Sequence, residues 1–182
     1  GASLEQGNLS SYIPTNGSII QRAVETCNDS GNSEVFNDSQ GVLFANTSIF
    51  SNDGTSRRIS LTDGTISNRV SMEFDEIANT LKLFIDSSVL IANNLNLTNF
   101  SKISAKYKAN DSALWVNGFE VVTSTTSSNV PSGLDRLNFD GGDLNNDFYG
   151  KTKEIAYYDE ILTDAELEKL TSYRSLNEMV TE

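Results

Sequence analysis

Histidine is missing from this 182-residue chain, and cysteine occurs once, at Cys27. Without histidine, the chain by itself forms no Ser-His-Asp triad, no Cys-His pair and no histidine-bound zinc site. A single cysteine excludes a disulfide within the chain. Several common kinds of catalytic and structural site are therefore excluded.

Basic residues are also few. Lysine and arginine number 13 against 25 aspartates and glutamates, which gives a formal net charge of -12. Nucleic acid binding depends on neutralising phosphates, and the chain has no basic stripe that would do so. The acidity also disfavours an anionic membrane surface, and the apolar runs are too short for a membrane-spanning helix. We expect neither nucleic acid binding nor membrane insertion.

Most of the chain consists of short segments in which apolar and polar residues alternate, separated by Gly, Asn and Asp. Alternation puts every second side chain on one face, as a half-buried antiparallel strand requires. The pattern predicts ten strands, at 18–26, 42–48, 57–62, 69–74, 80–86, 102–107, 113–116, 120–124, 137–140 and 150–158. This spacing favours an all-β, antiparallel two-sheet sandwich.

One short C-terminal helix is predicted after the last strand. Thr163 can cap it, Glu166 supplies the second half of a capping box, and Leu162 with Leu167 forms a hydrophobic staple. We expect its apolar face to cover a sheet edge or opening. Earlier in the chain, the dipeptide at 117–118, Asn-Gly, is typical of a two-residue hairpin turn with both residues at positive φ.

Three segments of the second half form a recognisable series: AKYKANDSALWVNGFEV at 105–121, LDRLNFDGG at 134–142 and FYGKTKEIAYYDEILTDAELEKL at 148–170. They resemble concanavalin A-like sandwiches of the laminin-G-like and pentraxin-like type. Their order and spacing fit the family, in which an aromatic-Gly-Lys strand precedes a segment that opens a helix. The resemblance implies a lectin-like jelly roll with this helix at its C-terminus.

A second resemblance lies near the N-terminus. The segment at 4–22, LEQGNLSSYIPTNGSIIQR, is similar to one common in phage tail and fibre proteins, where it closes one sandwich and leads into the next module. We therefore expect a tag remnant and a linker from an upstream module at 1–17, the sandwich at 18–176 and a tail at 177–182. The resemblance implies a phage virion domain.

Glycanases also occur on this fold, and the laminarinase-like ones carry Glu-x-Asp-x-Glu on one strand. The nearest string here is EFDEI at 73–77, in which Ile77 stands where the third carboxylate belongs. Phe74 continues an apolar face, so Glu73 and Asp75 are expected to be solvent-facing charges at a strand end. We expect no catalytic residue and interpret the chain as non-catalytic.

A sugar-binding module needs a stacking aromatic ring and polar groups on an accessible face or loop rim. Trp115 is the only tryptophan, and it projects outward if its two strand neighbours face the core; the alternative is that it packs in the sandwich or beneath the helix. Tyr157 and Tyr158 raise the same two alternatives. Trp115 and Tyr157, with Asn145 and Asn146, form the candidate carbohydrate site.

The loop at 140–147, DGGDLNND, is the candidate metal site. Calcium takes about six to eight oxygen ligands, and glycine permits a tight path around the ion. Asp140, Asp143 and Asp147 are the candidate ligands. The same residue types also make ordinary turns, and their spacing is not that of an EF-hand.

The sequence thus indicates a non-catalytic phage tail or fibre domain, located in the virion, that recognises host cell-surface polysaccharide or contacts other virion proteins. A homo-oligomer is compatible with this role. The alternative is an extracellular carbohydrate-binding module of a bacterial secreted polysaccharide-degrading enzyme or adhesin. A divergent glycanase is the third hypothesis.

Overall fold

The structure is a computed structural model and describes residues 29–173. These residues form ten strands and one short helix, joined by loops. The elements are β1 (Gln40–Ile49), β2 (Arg57–Thr62), β3 (Arg69–Phe74), β4 (Leu81–Ile85), β5 (Ser88–Ala92), β6 (Ser101–Lys108), β7 (Ser112–Val116), β8 (Phe119–Ser124), β9 (Arg136–Asn138), β10 (Gly150–Tyr158) and α1 (Asp164–Thr171). No helix within residues 29–173 is long and apolar enough to cross a membrane.

The strands form two antiparallel sheets of five strands each. We name them sheet I, with the order β5-β4-β3-β2-β9, and sheet II, with the order β10-β1-β6-β7-β8. Alternate side chains of both sheets meet in one apolar core, to which β3 contributes Val70, Met72 and Phe74, each fully buried. The predicted all-β, two-sheet sandwich with a C-terminal helix is confirmed.

The alternation located most strands closely. The strands predicted at 57–62, 69–74 and 150–158 coincide with β2, β3 and β10. Strand β5 was not predicted, because it follows β4 after a turn of only Asp86 and Ser87, in which Asp86 takes a φ of 51°. The strand predicted at 18–26 and both expected domain boundaries, near 18 and 176, lie outside the described residues.

The hairpin between β7 and β8 and the cap of α1 form as predicted. Asn117 and Gly118 have φ values of 52° and 89°. At the helix, the Thr163 amide donates to Glu166 Oε2 at 2.8 Å, and the Glu166 amide donates to Thr163 Oγ1 at 3.4 Å. Each side chain thus satisfies a backbone donor of the other residue.

The position of α1 meets one expectation in part. The helix packs against the interior strands β6 and β7 and also against the edge strand β8 of sheet II, and its buried Leu167 clusters with Trp115, Val42 and Ala113. It therefore reaches the expected sheet edge but mainly covers the outer face of sheet II.

Candidate binding face

The outer face of sheet I carries charged side chains in register. Arg58 on β2 pairs with Glu73 on β3, and Glu73 pairs with Lys82 on β4. Phe84, two residues further along β4, pairs with Ser71. Because side chains alternate along a strand and the neighbouring positions fill the core, these residues point away from the core. We call Arg58, Arg69, Glu73, Lys82 and Phe84 the arginine face.

Ion pairs hold the carboxylates of this face. The Nε and Nη2 atoms of Arg58 both contact Glu73 Oε2. The Lys82 ammonium lies 3.7 Å from Glu73 Oε1 and 2.7 Å from Asp75 Oδ2. Glu73 and Asp75 point away from the core as predicted, but they are buried, with residue exposures of 3% and 8%. The expectation of solvent-facing charges is therefore wrong, because neighbouring cations cover both carboxylates.

Two guanidinium groups converge on one aromatic ring. The Cζ atoms of Arg58 and Arg69 lie 5.2 Å and 4.8 Å from the centre of the Phe84 ring. Arginine over an aromatic face is a favourable cation–π arrangement. However, two positive charges at one ring also repel each other, so the site favours a negative group that would lie between or beside them.

Arg69 is the cation of this face whose charge is least compensated. Within residues 29–173 it forms no salt bridge, its Nη1 reaches the Gly141 carbonyl oxygen at 3.4 Å, and its buried Nε has no hydrogen-bond partner. Burial lowers the pKa of the Arg69 guanidinium, and the like charge of Arg58 lowers it further, while Glu73 and Asp143 oppose that shift.

A loop and an apolar strand border the arginine face. On one side, the segment at 140–147 runs beside β2, since the Arg58 amide donates to the Asn146 carbonyl at 2.9 Å and Ser60 Oγ donates to the Asp140 carbonyl at 2.6 Å. On the other side, β5 presents Val89 and Ile91, which are 45% and 46% exposed. The charged residues of the arginine face, which we call its floor, thus lie between a polar loop at 140–147 and the apolar side chains of β5.

The floor contains further polar atoms without partners. Ser71 Oγ and Asp140 Oδ2 are buried and, like Arg69 Nε, find no hydrogen-bond partner in the described part of the chain. Buried polar atoms are rarely left unpaired, and those that are often mark the place of a water molecule or a ligand. Their occurrence on the outer side of sheet I supports this face as the candidate site.

Trp115 does not present its ring to solvent. It is 7% exposed, and it lies in the cluster around Leu167 beneath α1. Its side chain does point away from the sandwich core, but the helix covers it. The structure therefore places it according to the alternative, packed beneath the helix, and it does not offer the open stacking surface that the sugar-contact prediction required.

Tyr157 faces the inside of the sandwich. Its hydroxyl accepts a hydrogen bond from the Asn37 amide at 2.8 Å and lies 2.9 Å from the Tyr107 hydroxyl. Its ring packs edge-on against Phe36, with centres 5.1 Å apart. These contacts give Tyr157 a structural role, so it is not placed for stacking on a sugar.

Asn145 and Asn146 are exposed in the loop at 140–147. Asn145 Nδ2 donates to Asp143 Oδ2 at 3.0 Å, and Asn146 takes a φ of 59°. The structure thus places the two asparagines beside the arginine face and does not bring them together with Trp115 or Tyr157. Their contact with a sugar stays a prediction.

The three candidate calcium ligands have different environments. Asp140 is fully buried, and its Oδ1 accepts a hydrogen bond from the Gly142 amide at 2.5 Å, whereas Asp143 and Asp147 are exposed. Among residues 29–173, no three or more His, Cys, Asp or Glu side chains are grouped to hold a metal ion. The three carboxylates therefore do not converge, and calcium binding stays a prediction.

Sequence reasoning missed the arginine face, although a signal for it exists. Arg58 and Arg69 both occupy the non-core parity of their strands, at which Ser60 and Ser71 also stand. Attention to the outward positions of adjacent strands, and not only to Trp, Tyr and Asp-rich loops, would have selected them.

Solved structures with the same fold include sialidase-associated domains. A CBM40 module of the Ruminococcus gnavus IT-sialidase bound to α2,3 sialyllactose aligns with a TM-score of 0.65 and 14% identity, covering 84% of this chain and 97% of that one. The leech intramolecular trans-sialidase aligns with a TM-score of 0.61 and 16% identity over 76% of this chain and 24% of that one. The Trypanosoma rangeli sialidase aligns with a TM-score of 0.58 and 12% identity over 73% of this chain and 22% of that one.

The likeness is one of fold. At these identities it shows an antiparallel two-sheet β-sandwich, and the match to the two larger sialidases spans only about a quarter of each. No family model and no curated protein matches the chain. The narrower concanavalin A-like and phage assignments stay predictions, and the segment at 4–22 that carries the second of them lies outside the described residues.

Proposed function

We propose that this domain is a non-catalytic carbohydrate-binding module that recognises an acidic sugar through the arginine face. The observation that carries the proposal is the convergence of Arg58 and Arg69 on Phe84, with Arg69 lacking an ion-pair partner within residues 29–173. This is the alternative that the sequence left open, now with a specific ligand class.

The chemistry of the face suits a sugar that bears a carboxylate. A guanidinium presents several N–H donors in a fixed plane and binds a carboxylate with two parallel hydrogen bonds. Phe84, Val89 and Ile91 offer apolar surface to the C–H faces or acyl groups of the same ligand. Asn145 and Asn146 bring amide donors and acceptors for hydroxyl groups.

The structural neighbours support the same class of ligand. The Ruminococcus gnavus CBM40 module was solved with α2,3 and with α2,6 sialyllactose. Both compounds carry a carboxylate on the sialic acid residue. A sialylated or otherwise carboxylated glycan is therefore the first ligand to test.

The state of the carboxylates supports binding without catalysis. A retaining glycosidase needs one carboxylate as nucleophile and another as acid, about 5 Å apart. Glu73 is held by Arg58 and Lys82, and Asp75 is held by Lys82. Their charges thus stabilise the cations of the face. A phage tail domain and a module of a secreted glycan-degrading enzyme would both use such binding outside the cell.

Site-resolved NMR titration tests the proposal. We expect α2,3-sialyllactose to shift the Nε–H resonance of Arg69, while lactose, which lacks the carboxylated residue, leaves it in place. An oligogalacturonide serves as a second carboxylated probe and separates sialic acid from uronic acid. The proposal is contradicted if no carboxylated glycan perturbs Arg58 or Arg69, or if lactose perturbs them equally.

A further inference from the structure

A cavity of about 410 Å³ lies on the opposite side of the sandwich, between α1 and the outer face of sheet II. Ligand sites typically measure about 300–1,000 Å³, so its size is that of a small-molecule site. We call it the helix groove. It is lined by Phe44, Lys102, Glu154, Tyr158, Leu162, Glu166, Lys169, Leu170 and Ser172.

The sheet beneath the helix groove contains buried polar atoms that lack partners. Asn46 lies in register with Glu154 on one side and Lys102 on the other, and it is 5% exposed. Ser104 lies in register with Phe44 and is fully buried. Neither Asn46 Oδ1 nor Ser104 Oγ finds a hydrogen-bond partner in the described chain. These atoms belong to the same outward face as the lining residues.

The charges that line the helix groove balance. Lys169 offers an ammonium donor, and Glu154 and Glu166 offer carboxylate acceptors. The Lys102 ammonium already donates to the Ser172 carbonyl at 3.2 Å and lies 5.3 Å from the centre of the Tyr173 ring. Glu166 is partly used by its hydrogen bonds to Thr163 in the capping box, so Glu154 is the main acceptor. Among the described residues of the lining, the formal charges of the two lysines and the two glutamates cancel, which gives no preference for an ionic ligand.

Apolar surface completes the helix groove. The ring of Tyr158 and the side chains of Leu162 and Leu170 stand beside these charged groups. A sugar ring needs this combination, because its hydroxyls require both donors and acceptors while its C–H face packs on an aromatic ring.

We propose that the helix groove is a second, independent subsite that binds a neutral sugar residue. The inference rests on the proposed function only in taking the domain to be a glycan-binding module, since the residues of the two sites are on opposite faces of the sandwich. A module with both subsites would bind an acidic sugar residue on one face of the sandwich and a neutral one on the other. The two residues could belong to one glycan or to two separate chains.

Backbone-amide NMR titration with lactose, maltose, cellobiose and N-acetylglucosamine tests the proposal. We expect at least one of them to give saturable shifts at Phe44, Lys102 and Lys169. Tyr158→Ala should weaken that binding about tenfold, because it removes the stacking ring. Leu170→Trp, which fills the groove without removing a polar group, should abolish it. Arg69→Gln, on the other face, should leave it unchanged.

The outcomes separate the two sites. If Leu170→Trp still binds the neutral sugar with wild-type affinity, or if none of the four sugars gives saturable shifts at the groove at millimolar concentrations, the proposal is overturned. If the wild-type protein binds a neutral sugar in the helix groove but no acidic sugar at Arg69, only the proposed function is contradicted. If it binds an acidic sugar at Arg69 but no neutral sugar in the groove, only the second subsite is contradicted.

Discussion

The hydroxyl oxygens of Tyr107 and Tyr157 lie 2.9 Å apart, and both contact the backbone of Asn37. Tyr107 donates to the Asn37 carbonyl, while Tyr157 accepts from the Asn37 amide at 2.8 Å. The pair fixes the chain that enters β1. A Cβ atom on Gly41 would lie 2.8 Å from the Tyr157 hydroxyl, so the glycine provides the space for this contact.

Stability should fall at alkaline pH because of Tyr107. Burial raises the pKa of its phenol well above the ordinary value, and the hydroxyl of Tyr157 raises it further. Since the folded-state pKa is raised, the stabilisation is complete below about pH 10 and is lost as the pH rises, by about 1.4 kcal/mol for each pH unit. Urea denaturation between about pH 8 and pH 11 measures this loss, and the slope should be shallower in Tyr107→Phe. Equal slopes would show that Tyr107 ionises freely in the folded protein.

Glu73→Gln should destabilise the arginine face. The substitution leaves the Arg58 guanidinium without its carboxylate and leaves Lys82 with Asp75 alone. We expect the free energy of unfolding to fall by about 1–3 kcal/mol, because the partly buried Arg58 guanidinium loses its charge-assisted hydrogen bonds. Glu76→Gln, an exposed residue of the following turn, is the control and should change stability by less than about 0.5 kcal/mol. Similar losses in the two variants would rule out the ion-pair network as the cause.

Leu167→Ala should loosen α1 and expose Trp115. Leu167 is fully buried against the indole, so its truncation should cost about 2–4 kcal/mol. The emission of Trp115, the only tryptophan, should shift to longer wavelength. Glu168→Ala, at an exposed position of the same helix, should leave both quantities near their wild-type values. An unchanged emission in Leu167→Ala would mean that the helix does not cover the indole.

Thr163→Ala should remove the cap of α1 and cost about 1 kcal/mol. Thr163→Ser keeps the hydroxyl and should preserve most of the stability. The hydrogen bonds from Thr163 lower the pKa of Glu166 from its usual 4.5, so the contribution of that carboxylate is present above this value and is lost as the pH falls. The difference between wild type and Thr163→Ala in denaturation should therefore shrink in acid. A difference that does not change with pH would contradict the reciprocal bond.

The sequence predicted the framework because strand parity is a local property. Val70, Met72 and Phe74 identify the core side of β3 without knowledge of any partner strand. The cap at Thr163 is likewise decided within four residues. The position of α1 over Trp115 is not local, because it depends on where the chain returns after β10.

Strand parity shows that Arg58 and Arg69 point outward, but it does not show that they meet, for a similar reason. Arg58 meets Glu73 only through the register of β2 with β3, and Arg58 and Arg69 come together at Phe84 only when β4 is added. Trp115 and the Asp-rich loop were conspicuous in composition. Composition does not show which residues are covered by tertiary packing. The sugar-stacking prediction therefore selected Trp115, which lies beneath the helix.

The affinity of Arg69→Gln for α2,3-sialyllactose is the most direct test of acidic-sugar recognition. Arg136→Gln is the matched control, because Arg136 is on β9 of the same sheet but pairs with Asp29 and Asp135. Calorimetry should show binding weakened at least about tenfold in Arg69→Gln, since a charge-assisted hydrogen bond is lost, and changed less than about twofold in Arg136→Gln. Equal affinities for wild type and Arg69→Gln would contradict recognition of the acidic sugar through Arg69.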